Sequence, residues 1–273
     1  MTSMVSSHRD PDKALQPSSH TGESTRASLR WPGTLYRRLL QSHKVESLFR
    51  TVVGIETSER VAALTFDDGP DPEWTPRILE TLGRHAAKAT FFLIGRNVDA
   101  APDIARRIVN EGHAVGNHTF SHPLLADCSP LKVAMELAAC QRSIARATGQ
   151  SPSLMRPPFG AQRVDTYVTA RVLGYDVVHW SASTDDWLGD SADTMARRVL
   201  PATAPGGILL LHDKLEPPPT GPTPESDALA DRSATVEVLN LIIRPLQQDG
   251  YRFVTIPELL AKGKKRRQKW FWK

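Results

Sequence analysis

The sequence predicts an α/β protein made of repeated βα units around a parallel sheet, and three observations carry that expectation. Beyond Glu59, short apolar runs alternate with longer amphipathic ones, the rhythm of strands followed by crossover helices. The chain has 273 residues with 40% apolar content, enough for one sizeable core, and a single (β/α) barrel takes about 250 residues. Polar and charged side chains fall at or just past the C-terminal ends of the expected strands, the face that carries the active site in parallel barrels. One domain with tails is the expected organisation.

Residues 1–28 are rich in Ser, Thr, His and Pro and poor in large apolar side chains. They cannot bury enough surface to offset the entropy of ordering and are expected to be disordered. A helical extension is expected over 29–60, because Leu35, Leu39, Leu40, Leu48, Phe49, Val52 and Val53 recur with roughly helical spacing among Arg37, Arg38, Lys44 and Arg50. Such a helix packs on the domain or lies on a membrane surface. The domain proper is expected over 61–262, with strands at 61–66, 88–93, 113–117, 153–155, 175–181, 207–211 and 251–255. Helices are expected near 75–84, 97–111, 130–148, 163–173, 193–200, 232–249 and 257–262. Pro130 after Ser129 suits a cap followed by a first helical position, and Gly149 and Gly250 stand where helices should stop. The Pro-rich stretch 214–231 interrupts the rhythm directly after a strand, and at that length it reads as an insertion loop or lid. Residues 263–273 read as a basic, aromatic tail.

Composition narrows the partners. The net charge is +4, but seven positive charges lie between Lys262 and Lys273 and leave the remaining chain negative. The basic character belongs to the tail, so no nucleic-acid partner is expected. Trp270, Phe271 and Trp272 within that tail suit weak contact with an anionic membrane or polymer, or simple solvation. Cys128 and Cys140 are the only cysteines, too few for a disulfide framework. No apolar signal region and no run of 18 apolar residues is visible, so a cytoplasmic location is the expectation. The sequence is silent on oligomeric state.

Asp67 with Asp68, His118, Arg156, Asp186 and His212 lie at or just beyond the ends of five different expected strands. Scattered structural polar residues would have no reason to share one rim. His118 and His122, four residues apart in NHTFSHP, suit one face of a helical turn and a shared metal ion; two unrelated loop histidines are the plain alternative. A zincin helix is excluded, since position 119 is Thr and Pro123 ends the segment. The adjacent acids of TFDDGP supply a third, hard ligand, although the same triplet is ordinary turn chemistry. A His/His/Asp set with open positions suits zinc hydrolysis and also ferrous oxygenases. The remaining rim residues are an acid and a base, which favours hydrolysis.

Five blocks stand in order: TFDDGP (65–70), HTFSHP (118–123), RPPFG (156–160), DDW (185–187) and LLHD (210–213). With them the sequence, from about Val61 to Lys262, resembles the polysaccharide deacetylases (carbohydrate esterase family 4, the NodB-homology domain). The flanking ATFFLIG at 89–95 and DRSATVEVL at 231–239 resemble it too. The resemblance implies a distorted (β/α) barrel of seven or eight strands. It implies a metal site of Asp68, His118 and His122, with water or substrate in the other positions and zinc as the expected metal, cobalt or another transition metal being alternatives. Asp67 corresponds to the general base, paired with Arg156, and His212 to the general acid, paired with Asp186. Phe159 would bind substrate through its backbone N–H, and Trp187 would line the groove. Two departures stand out: Ser183 replaces the first acid of block four, and Phe159 replaces the usual Tyr.

The function so implied is hydrolytic removal of N-acetyl, or alternatively O-acetyl, groups from an amino-sugar-containing oligosaccharide, polysaccharide or glycosylated small molecule. A carbohydrate-binding pseudoenzyme, or another metal hydrolase on the same barrel, is the competing reading. Trp74 and Phe120 are further candidates for stacking on sugar rings, with packing the plainer role for Phe120. Cys128 lies near the histidine loop, but nothing directs its sulfur to an ion.

Overall fold

Every other residue of a strand faces the same way, and strand β2 (Val61–Asp67) is buried along its whole length. Its two faces therefore meet two different apolar surfaces. Ala62, Leu64 and Phe66 join the layer between sheet and helices, whereas Val61 and Ala63 join a second cluster with Phe92, Leu154, Val178 and Ile208 inside the curled sheet. The computed structural model describes residues 49–216 and 230–270. The expected disordered segment 1–28, residues 29–48 of the expected helix, residues 217–229 of the Pro-rich stretch and residues 271–273 lie outside them.

Around β2 stand β1 (Thr51–Glu56), β3 (Ala89–Leu93), β4 (Ala114–Asn117), β5 (Leu154–Met155), β6 (Asp176–Val177), β7 (Ala182–Ser183), β8 (Gly207–His212), β9 (Arg252–Phe253) and β10 (Lys264–Gln268). The sheet runs β10-β1-β8-β2-β3-β4-β5-β6, with β7 beside β8 and β9 beside β2. From β8 through β6 the pairs are parallel, while β1 is antiparallel to both β8 and β10. A bridge between Val52 and Val178, with the His179 N–H donating to the Val52 carbonyl at 2.8 Å, brings the two ends of the curl together. The result is a distorted (β/α) barrel.

The helices are α1 (Trp74–Arg84), α2 (Gly95–Ala100), α3 (Pro102–Asn110), α4 (Pro130–Thr148), α5 (Val164–Val172), α6 (Ala192–Ala202), α7 (Ser233–Gln248) and α8 (Ile256–Leu260). Helix α4 begins and ends as its residues dictate: the Ser129 side chain accepts the Lys132 N–H, Pro130 takes the first position, and Gly149 closes it at φ 72°. Helix α8 opens with a reciprocal capping box between Thr255 and Glu258, and its Ile256 and Leu259 join the interior cluster. Among the described residues no helix is long and apolar enough to cross a membrane.

Three expectations are corrected. The helical extension does not reach 51–56, where Val52 and Val53 belong to strand β1 and are buried. Basic residues 264–268, read as tail, form β10 against β1, with Lys264 and Lys265 ion-paired to Glu56 and Asp176. The expected helix 97–111 is two helices, broken at Ala101, whose φ of −135° is extended because Pro102 follows it. Because β10 covers one edge of β1, a chain lacking residues 264–273 is expected to melt about 5 °C or more lower than the full chain in a calorimetric scan, on the scale by which one or two kcal/mol moves a melting point.

Candidate active site

Asp67 is the last residue of β2 and His212 the last of β8; the two strands pair in register with Asp67 opposite His212. They are therefore neighbours at one strand end, on the interior face that Val61, Ala63 and Thr65 define. After Asp67 the chain turns sharply: Asp68 has φ 74°, and its carbonyl accepts a hydrogen bond from Asn97 Nδ2 at 2.7 Å. Gly69 cannot be replaced without displacement, because a Cβ there would lie 2.1 Å from Asp213 Oδ2. Asp213 in turn accepts from the Thr75 hydroxyl. Its carboxyl is pushed up to about 7, chiefly by burial and further by the Asp68 charge, against the Thr75 hydrogen bond.

His118 and His122 follow β4 on an irregular loop, not on the helical turn their spacing suggested. Asn117 at the end of β4 accepts the Thr119 N–H at 2.9 Å, and the Thr119 hydroxyl accepts the His122 N–H at 3.1 Å. The buried carboxylate of Glu136, on α4, takes the N–H groups of Phe120 and Ser121 at 3.0 and 2.8 Å. Thr119 and His122 are left at φ 69° and 57°, a backbone cost that persists only where surroundings over-determine it.

This loop brings His118 Nε2 and His122 Nε2 to 3.2 and 3.1 Å from Asp68 Oδ1. All three residues are buried, and their ligand atoms lie within 4.8 Å of one another. His118 Nδ1 is 2.8 Å from the Arg156 carbonyl, a contact that needs the ring proton on Nδ1. In the neutral ring, Nε2 then presents its lone pair to a carboxylate oxygen. Lone pairs facing one another in a buried place repel unless a cation lies between them, and the spacing suits adjacent ligands at metal–ligand distances of about 2.0–2.2 Å. The chain's own chemistry thus fits a divalent ion.

Arg156, at the end of β5, is wholly buried. Its Nη1 donates to Asp67 Oδ1 at 2.7 Å and to Thr65 Oγ1 at 2.9 Å; Nε and Nη2 reach the Val178 and His179 carbonyls, and its guanidinium lies 4.2 Å from the Phe92 ring centroid. Asp67 is thereby fixed, with its other oxygen 3.9 Å from His118 Nε2. On the opposite side, Asp186 Oδ1 is 2.7 Å from His212 Nδ1, and its Oδ2 accepts the His212 N–H and the Thr235 hydroxyl, each at 2.9 Å. Arg232 stands 3.8 Å from the same carboxylate. Burial alone would lower the His212 pKa, but the Asp186 charge and hydrogen bond, with Asp68 and Asp67 adding to them, push it up to about 9. Asp185 instead pairs with Arg198 at 3.4 Å, so Asp186 is the acid that contacts His212.

Two half-exposed rings flank the site. Phe159, at φ 58°, lies with its ring 4.5 Å from that of His122, and Trp187 stands edge-on to His212 at 5.5 Å. Cys128 Sγ contacts the Leu124 carbonyl at 3.6 Å and is not part of the Asp/His/His group. Asp67, Asp68, His118, His122, Arg156, Asp186 and His212 are linked by these contacts at one strand end, with Phe159 against His122 and Trp187 against His212. The sequence reading missed Thr235, Arg232, Asn97, Asp213 and Glu136. Of these, Arg232 and Thr235 carried a signal within the segment DRSATVEVL, and Asp213 as the last residue of LLHD.

A (β/α) barrel with an Asp/His/His group, a guanidinium-held carboxylate and a carboxylate–imidazole pair at its strand ends has the layout of a barrel hydrolase. The chain belongs to the polysaccharide deacetylase family, whose profile matches residues 54–178. It is 40% identical over 205 residues to a peptidoglycan-N-acetylglucosamine deacetylase of Bacillus cereus, covering 75% of this chain and 70% of that protein. It is likewise 40% identical over 207 residues to a chitooligosaccharide deacetylase of Bradyrhizobium, covering 76% of this chain and 93% of that one. The crystal structure of the Bc1960 peptidoglycan N-acetylglucosamine deacetylase superposes with a TM-score of 0.68 at 37% identity, covering 78% of this chain and 94% of the other.

The packing of Asp213 beneath Gly69 yields a stability test. Gly69→Ala is expected to cost about 1–3 kcal/mol in urea unfolding, on the scale of overpacked sites. Combined with Asp213→Ala, it is expected to cost less than the sum of the two single changes, because the clash is relieved.

Proposed function

We propose that this chain removes N-acetyl groups from saccharides containing N-acetylglucosamine, using a divalent ion, with zinc as the favoured metal, held by Asp68, His118 and His122. The observation that carries this reading is the meeting of Asp68 Oδ1 with the Nε2 atoms of both histidines, on the same rim as the register-paired Asp67 and His212. The relatives named above act on peptidoglycan N-acetylglucosamine and on chitooligosaccharides by their names, which supports an acetylated amino-sugar substrate.

An acetamide resists water because its carbonyl is weakly electrophilic and its amine is a poor leaving group until protonated. A bound divalent ion would supply Lewis-acid polarisation of a carbonyl and acidify water, lowering its pKa towards about 7. Asp67, held by Arg156, takes the proton from the attacking water. The negative charge that grows on the acetyl oxygen is met by the Phe159 backbone N–H; one such donor is worth about 3 kcal/mol. Only main-chain chemistry is asked of that residue, so Phe serves in place of Tyr. His212, with Nδ1 engaged by Asp186, presents Nε2 to the departing nitrogen and delivers its proton there. Trp187 and Phe159 offer apolar faces to the sugar ring. An ester needs the acid less than an amide does, so retention of His212 with its Asp186 support favours N-deacetylation over O-deacetylation.

Acetate release from chitooligosaccharides tests the reading. Activity is expected with added zinc or cobalt, and its loss on chelation; a pseudoenzyme would release none. Asp67→Asn and His212→Ala are each expected to lower turnover by about 100-fold or more. His212 must carry its proton, so activity falls as pH rises through its pKa. A bound cation opposes the shift, placing the alkaline limb below about 9. Asp186→Asn removes the charge that raises this pKa, and a kcat–pH profile is expected to show the limb displaced to lower pH.

A further inference from the structure

Asp68 has two carboxylate oxygens, and only Oδ1 faces the histidines. The other, Oδ2, accepts the backbone N–H of Glu216 at 3.0 Å. Glu216 lies four residues past His212, and its own side chain is nearly buried although the surrounding segment is irregular. That carboxylate is gripped from α2: Arg96 Nη2 pairs with Oε2, and Asn97 Nδ2 donates to Oε1 at 2.7 Å. Lys214 Nζ stands 3.6 Å from Oε1. Asn97 Nδ2 also donates to the Asp68 carbonyl, so one amide ties Glu216 and Asp68 together. The ligand is thus clamped at its backbone by Asn97 and at its spare oxygen by Glu216, whose place is fixed by the ion pair with Arg96.

We infer that Glu216 is a positioning residue for the metal: its side chain, locked between Arg96 and Asn97, holds its own N–H against Asp68 Oδ2 so that Asp68 offers a single oxygen to the ion. The physical ground is that a free carboxylate samples both one- and two-oxygen binding and rotates about its last bond. An N–H on one oxygen removes that freedom before the ion arrives. This inference rests on the proposed metal site and extends it to a segment outside the five sequence blocks.

Zinc affinity of the full-length protein, measured without substrate by competition with a chromophoric chelator, tests the inference. Glu216→Ala is expected to weaken zinc binding by about 10–100-fold, the usual effect of losing an outer partner of a ligand. Arg96→Ala removes an exposed side chain and leaves the interior intact; it is expected to weaken binding in the same direction. The double variant is expected to be no weaker than the stronger of the two single ones, since both act through one contact. Excess zinc is expected to restore kcat in Glu216→Ala but not in Asp67→Asn. The absorption spectrum of the cobalt-loaded protein is expected to change with Glu216→Ala. Unaltered zinc affinity and an unaltered cobalt spectrum in both single variants, with Asp68→Ala unable to bind zinc, overturn the role of Glu216 and leave the metal site standing. Zinc binding that survives Asp68→Ala overturns the metal site itself.

Discussion

Asp68 Oδ1 stands 3.2 and 3.1 Å from the Nε2 atoms of His118 and His122 in a buried place, and the three ligand atoms lie within 4.8 Å of one another. The arrangement stores repulsion unless positive charge lies among them, and much of the rim is built to enforce it. Of the six non-glycine residues with positive φ among the described residues, all but Ala86 sit in the site's own loops: Asp68, Thr119, His122, Phe159 and Asp185. Each such backbone costs on the order of 1–3 kcal/mol. The offsetting contacts are also local: Asn117 and Glu136 for the histidine loop, Asn97 and Glu216 for Asp68.

The proton transfers proposed for Asp67 and His212 depend on a simpler device, the register of two parallel strands. Asp67 and His212 are opposite each other because β2 and β8 pair from Ala62↔Gly207 onward without a shift. A one-residue slip would turn one of them out of the interior. Their partners then divide the labour. The wholly buried Arg156, with Thr65 beside it, fixes one carboxylate as an acceptor. Asp186, fixed by Thr235 and Arg232, raises the His212 pKa by its charge and hydrogen bond. A barrel interior that is apolar below, with Val61, Ala63, Phe92 and Ile208, gives these pairs the low-dielectric floor that strengthens them.

The sequence disclosed what is encoded by local periodicity. Strands such as Val61–Asp67 and Gly207–His212, buried on both faces, read as short apolar runs, and helix α4 announced both its ends through Ser129-Pro130 and Gly149. The strand ends also exposed the site, because polar residues interrupt apolar runs there. What was hidden depends on partners far along the chain. Thr51–Glu56 is a strand because Lys264–Gln268 and β8 lie against it; taken locally, Phe49, Val52 and Val53 fit a helical spacing. Lys264–Gln268 has no apolar alternation and pairs through its backbone and its salt bridges, so it resembles a solvated tail. Thr235, Asn97, Asp213 and Glu136 are ordinary polar residues of helices and strand ends, and only the fold reveals which group each one grips.

X-ray absorption at the zinc edge of the zinc-loaded protein tests whether one cation joins Asp68, His118 and His122. A shared ion gives a first shell of nitrogen and oxygen at about 2.0–2.2 Å, with outer scattering from two imidazole rings that falls to one ring in His122→Ala. A sulfur shell near 2.3 Å, as a Cys128 thiolate would give, or scattering from a single imidazole in the unaltered chain, would contradict it.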